Sequence, residues 1–224
     1  DKASKTHNEN LEYYRSKGDK RNEATALYHL AMIEGVEGNY EKAVELYQQS
    51  LDIYRKLGNE ISVSQTLHGL ATILQEKGEY DEAIRLYEES IKIKSKLEDK
   101  SGIACSLGQL ATIQKDKRSY KQAARLYKQA VEIFCELGDQ RGISITLHQI
   151  AMILMNIGKY DMARKLLEES QDIHRMLGDQ RGMSTNIHEL ATIHQLKGEY
   201  NEAIELSQQS LNVKKKLGDQ RGIA

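Results

Sequence analysis

The hexapeptide Leu137-Gly138-Asp139-Gln140-Arg141-Gly142 returns unchanged at 177–182 and again at 217–222, so the chain repeats itself every 40 residues. Looser copies keep the register: Lys17-Gly18-Asp19, Leu57-Gly58-Asn59 and Leu97-Glu98-Asp99. A second marker has the same period, in Gly38-Asn39-Tyr40, Gly78-Glu79-Tyr80, Arg118-Ser119-Tyr120, Gly158-Lys159-Tyr160 and Gly198-Glu199-Tyr200. No insertion or deletion breaks the period. A repeat this short has no core of its own and must bury its apolar face against its neighbours, which makes the chain a solenoid rather than a globule.

The markers punctuate helices. Proline is absent and glycine recurs at fixed repeat positions, which suits continuous helices broken by glycine turns. Leu67, Leu70, Ala71 and Leu74, then Ala83, Leu86, Tyr87 and Ile91, follow the i, i+3, i+4 spacing of an apolar stripe. Each period therefore reads as two antiparallel helices of about 18 residues joined by short loops. Asn59, Asp99, Asp139, Asp179 and Asp219 are placed to cap first helices. The glycine before most of them supplies a left-handed C′ residue. Glu98 and Arg118 stand where glycine is needed, so the third repeat is expected to hold the most strained turns. Gly102, Gly142, Gly182 and Gly222 fall in the first turn of first helices. Glycine there costs about 1 kcal/mol relative to alanine, and its recurrence predicts close contact with the preceding repeat.

Five full hairpins are expected at 19–58, 59–98, 99–138, 139–178 and 179–218. Residues 1–18 read as the second helix of an earlier, truncated repeat, with Leu11 and Tyr14 in the slots of Leu51 and Tyr54, and 219–224 as the start of a further one. The chain opens on Asp and both ends fall inside a repeat, so a piece of a longer protein is expected. Its ends would lack polar capping helices and would favour self-association.

The spacing Leu67-x-x-Leu70-Ala71-x-x-Leu74-x-x-x-Gly78-x-Tyr80-x-x-Ala83-x-x-x-Tyr87-x-x-Ser90-Ile91 resembles the tetratricopeptide repeat. The other periods match through Leu27, Leu30, Ala31, Gly38, Tyr40, Ala43 and Tyr47; Leu107, Leu110, Ala111, Tyr120, Ala123 and Tyr127; Leu147, Ile150, Ala151, Gly158, Tyr160 and Ala163; and Ile187, Leu190, Ala191, Gly198, Tyr200 and Ala203. The 40-residue form with its Gly-Asp junction is similar to repeats of spindle-orientation adaptors, kinesin light chains and prokaryotic signalling proteins. The resemblance implies an all-α, right-handed solenoid of antiparallel helix hairpins. Departures are Leu167 and Ser207 for the aromatic of the second helix, and Glu34 and Gln114 where Leu74 and Leu154 are apolar. Looser packing is expected at these four.

Net charge is −1 with acids and bases interspersed, which argues against a nucleic-acid surface. The longest apolar run, Ile150 to Met155, has six residues, against the roughly 20 that span a bilayer, and no signal peptide opens the chain. Cys105 and Cys135 form neither a disulfide framework nor a metal spacing. Lying towards the same end of a hairpin, they leave pairing open, but two reduced cytoplasmic thiols are the expectation.

Seven histidines are present, and His68, His148 and His188 share one slot of three repeats. Metal binding needs imidazole nitrogens about 2.1 Å from one ion, whereas packed helices stand roughly 8–10 Å apart. His188-Glu189-Leu190-Ala191-Thr192 opens like a zinc-protease HExxH helix, but Thr192 stands where the second histidine is required. No phosphate loop or nucleophile elbow appears. No metal, cofactor or catalytic residue is expected, and the chain is read as a non-enzyme.

The resemblance implies instead a concave groove lined by first helices. The groove slots hold Tyr28 and Met32; His68, Thr72 and Gln75; Thr112 and Lys115; Ile145, His148, Met152 and Met155; and His188, Thr192 and Gln195. The chain is 29% charged, yet this stripe reads as nearly uncharged. Met152, Met155 and Ile145 form an adaptable apolar patch, and the flanking His, Thr and Gln side chains offer hydrogen bonds to a peptide backbone. Lys115 is the one base among these slots, which sets aside a carboxylate clamp. The expected function is protein–protein interaction, with a protein or peptide in the groove, and no nucleic-acid or membrane partner. The alternatives are a sensor arm of a larger signalling enzyme, such as an NTPase or protease, and a structural array stacking end to end.

Overall fold

The structure, a computed structural model, describes residues 2–218. It divides into two compact units, Asp1–Ile113 and Gln114–Ala224. The first holds α1 (Lys2–Lys17), α2 (Lys20–Val36), α3 (Tyr40–Lys56), α4 (Glu60–Glu76), α5 (Tyr80–Lys96) and all but the last turn of α6 (Lys100–Asp116). The second holds α7 (Tyr120–Leu137), α8 (Gln140–Asn156), α9 (Tyr160–Met176), α10 (Gln180–Leu196) and α11 (Tyr200–Lys216). The described residues contain no strand. The start of a further repeat, with Asp219 and Gly222, lies outside them.

Helices of 16–18 residues run between turns at fixed repeat positions, and those that begin at the outer junctions are capped by a side chain. At the outer junctions the side chains of Asp19, Asn59, Asp99, Asp139 and Asp179 accept from the amides of Asn22, Ser62, Gly102, Gly142 and Gly182 at 2.9–3.1 Å. These bonds satisfy donors that the helix leaves free. The preceding turn closes back on the helix it ends: the amide of Gly138 donates to Cys135 and that of Asp139 to Phe134. That closure needs a left-handed residue. Glu98 at φ 55° and Arg118 at φ 58° adopt the conformation that glycine takes in the other turns. The strain expected of the third repeat is there, at about 1–2 kcal/mol per residue.

Within each hairpin the helices approach closely because small residues face each other. Ala31, Ala43, Ala71, Ala83, Ala151 and Ala163 are completely buried. Large side chains fill the space around them, notably Leu27, Leu67, Tyr87 and Tyr127. A buried serine on the second helix then ties it to the first: the hydroxyls of Ser50, Ser90, Ser170 and Ser210 donate to the carbonyls of Ala24, Ser64, Ser144 and Ser184 at 2.8–2.9 Å. Ala130 takes that slot in the third repeat.

Looser packing is absent at two of the four departures. Leu167 is fully buried in a cluster with Ala151, Ala163, Leu190 and Ile193, so a branched aliphatic fills the aromatic slot. The Glu34 carboxylate is buried but satisfied, by Lys42 Nζ at 2.6 Å and Asn39 Nδ2 at 2.8 Å. These partners hold its carboxyl below the usual range against the opposing effect of burial. Gln114 is half-buried and Ser207 is exposed.

The first-turn glycines seat side chains of the preceding helix. A methyl group on Gly142 would run into the Phe134 ring, one on Gly182 into the His174 ring, and one on Gly102 into Lys94 and the capping Asp99.

Candidate protein-binding groove

Spacing along the first helices sets which side chains share a face. His68, Thr72 and Gln75 on α4, Ile145, His148, Met152 and Met155 on α8, and His188, Thr192 and Gln195 on α10 lie three or four residues apart, the interval that keeps side chains on one stripe. None of the fourteen groove residues is fully buried. Met32, Ile145, His188 and Gln195 are exposed; Tyr28, His68, Thr72, Gln75, Thr112, Lys115, His148, Met152, Met155 and Thr192 are half-buried.

In the first unit the polar members of the stripe are largely engaged within the protein. The His68 ring stands edge-on to Tyr87, 5.1 Å between centroids, and its Nδ1 lies 3.0 Å from the Ser106 hydroxyl. Burial, helped by Lys94, pushes the His68 imidazole down to about 4. The Tyr87 hydroxyl donates to Gln75 Oε1 at 3.2 Å and pairs with the Thr72 hydroxyl at 2.9 Å. Burial raises that phenol to about 12. Thus His68, Thr72 and Gln75 meet around one buried tyrosine, and the bonds of His68 Nδ1, the Thr72 hydroxyl and Gln75 Oε1 are made within the protein. Tyr28 packs edge-on to Tyr47, with ring centroids 5.5 Å apart.

The second unit is more open. Lys115 Nζ, the one base among the predicted slots, donates to Gln149 Oε1 at 2.7 Å. Met155 leans on the core cluster around Leu167. His148 Nδ1 lies 2.8 Å from Asn186 Oδ1, and the Asn186 amide nitrogen donates to the Ser170 hydroxyl at 2.8 Å. Because the oxygen can only accept, His148 carries its hydrogen on Nδ1. Thr192 bonds its own helix, through the carbonyl of His188 at 3.1 Å.

Ile145 and His148 line a cavity of about 430 Å³ together with Arg141, Arg181, Asp179 and Asn186; Met152 and Met155 do not line it. The two arginines correct the reading of a nearly uncharged stripe. Arg141 stands four residues before Ile145 and Arg181 seven before His188, so the repeated hexapeptide that caps the helix also places a guanidinium at the head of its stripe. That spacing was visible in the sequence. The part played by Asn186 was not, since only packing brings it to His148.

Among the described residues no group of His, Cys, Asp and Glu side chains is placed to hold a metal ion, and no helix is long and apolar enough to cross a membrane. Cys105 and Cys135 are both exposed, and no disulfide joins them.

The tetratricopeptide repeat model matches residues 62–136 and 142–216. This chain belongs to the tetratricopeptide repeat family. A second model, that of soluble NSF attachment protein, matches residues 1–97. No curated protein matches the chain. Among solved structures, the tetratricopeptide array is similar to BtubC (BKLC) from P. vanneervenii, with 18% identity over 97% of this chain and 91% of that one and a TM-score of 0.82. It is also similar to the nearly identical repeats of a putative kinesin light chain from Podosopora anserina, with 26% identity, coverage of 86% and 95% and a TM-score of 0.68. A third relative in fold is the Rap conjugation gene regulator of plasmid pLS20 in complex with the Phr* peptide, with 14% identity, coverage of 91% and 57% and a TM-score of 0.76. The fold class is therefore an all-α solenoid of tetratricopeptide hairpins.

Proposed function

We propose that this tetratricopeptide chain is a protein-interaction scaffold that holds a peptide, helix or partner segment against the stripes of its first helices. One observation carries the reading: all fourteen groove residues keep exposed surface, while apolar residues beside them on the same helices, such as Leu67, Ala71, Ala151 and Ile193, are buried. A face that the hairpin does not use for its own packing is available to a partner. The peptide in the Rap relative gives the same fold a precedent for such an occupant. Met152 and Met155 supply an adaptable apolar contact. Two exposed cysteines with no disulfide between them suit a reducing compartment, the cytoplasm.

A displayed library of random peptides panned on the protein tests this. The recovered peptides are then titrated by calorimetry against the protein and against Met152→Glu. Since Met152 is half-buried, Met152→Glu should keep its helical circular dichroism. Peptides that lose tenfold or more in affinity for the variant are the expected result. Recovery of none, or of peptides indifferent to the change, would sink the groove reading.

A further inference from the structure

The cavity at the heads of α8 and α10 has a charge arrangement that the rest of the stripe lacks. Arg141 and Arg181 are both exposed and both line it, and neither guanidinium donates a hydrogen bond or forms an ion pair among the described residues. The acid that lines the cavity with them is occupied. Asp179 accepts from the Gly182 amide through Oδ1 at 3.0 Å and faces His174 Nδ1 through Oδ2 at 3.1 Å. That amide bond, with help from His174 and Arg141, holds its carboxyl below the usual range. Asn186 is also spent, between His148 and Ser170. The cavity thus offers two planar fork donors against one committed carboxylate. Its wall is Ile145, an isoleucine left 52% exposed.

We propose that this cavity is the anchor subsite for an acidic side chain of the bound peptide, a carboxylate set beside a bulky apolar residue. The carboxylate sits between Arg141 and Arg181, and the apolar neighbour covers Ile145. Guanidinium forks match a carboxylate's two oxygens better than any other side-chain cation does. Asp179 favours a singly charged carboxylate over a phosphate, whose second charge would meet it at close range. The proposal rests on the groove reading and adds the chemistry of the partner to it.

The test uses peptides from the same display library, selected at low salt. Peptides enriched in Asp or Glu next to Leu, Ile, Phe or Met are expected. They should lose tenfold or more in affinity for the double variant Arg141→Gln/Arg181→Gln, and the loss should shrink as salt rises. Phosphoserine in place of the acidic residue should bind no tighter. The exposed, unbonded guanidiniums predict that the double variant melts as the parent does. Peptides that depend on Met152 but carry no acidic enrichment and ignore the arginine changes would overturn this inference and leave the groove reading standing. Recovery of no Met152-dependent peptide would remove both, and tighter binding of phosphoserine would replace the carboxylate with a phosphate.

Discussion

His68 Nδ1 lies 3.0 Å from the Ser106 hydroxyl, and the buried ammonium of Lys94 donates to that same oxygen at 3.0 Å. With its oxygen already accepting from Lys94, the hydroxyl is set to donate to a neutral imidazole. Protonation of His68 would replace that acceptor with a second cation in a half-buried site. Burial also lowers the Lys94 ammonium below its ordinary value, and Lys94 completes its bonding on the Gly102 carbonyl at 3.2 Å.

A pH dependence with a defined sign follows from this pair. The imidazole titrates at 6.5 when exposed and at about 4 when folded, so the unfolded chain binds the extra proton throughout that window. The His68 contribution is fully present above 6.5 and is lost as pH falls towards 4. The full loss is on the order of 3 kcal/mol. Urea unfolding at neutral pH and near the lower limit should show a smaller acid loss for His68→Gln than for the parent. Equal losses in the two proteins would show that His68 does not titrate in this way.

Two helix glycines should respond to alanine with opposite signs. Gly108 has open space where a methyl would go, so Gly108→Ala should stabilise by about 0.5–1 kcal/mol through helix propensity. Gly142 has the Phe134 ring in that place, and overpacking costs about 1–3 kcal/mol. Gly142→Ala should therefore destabilise by about 1 kcal/mol despite the better helix former. Thermal melts of the two variants side by side read the difference in sign.

The strained turns offer a gain. Glu98 and Arg118 occupy left-handed backbone positions, while the glycines at the equivalent junctions have open space around their Cα atoms. Their cost is thus in the backbone and not in side-chain clashes. Glu98→Gly and Arg118→Gly should each raise stability by about 0.5–1 kcal/mol, the relief of left-handed strain less the added entropy of an unfolded glycine. A lowered denaturation midpoint in either variant would count against this account.

The hairpins were legible because their causes are local. An Asp that caps a helix three residues on, a glycine that turns left-handed and an alanine that recurs every period act on the chain nearby, and a 40-residue copy repeats each signal. The side-chain partnerships were not legible. His68 and Ser106, or His148 and Asn186, stand 38 residues apart on helices of successive repeats, and nothing in their spacing tells a free hydrogen-bonding group from a satisfied one. The same limit hid Glu34, which reads as a defect until Lys42 and Asn39 close on it.

By itself the sequence determined the helices, their turns, the strained third repeat and the family, because period and capping are properties of the chain. Tertiary structure alone decided which stripe residues are free. Packing engaged His68 Nδ1 with Ser106 and the Thr72 hydroxyl and Gln75 Oε1 with Tyr87, and it gathered Arg141 and Arg181 beside Ile145 at one cavity. Charge and hydrogen-bonding capacity belong to the residue, but whether they remain available depends on what the fold sets against them.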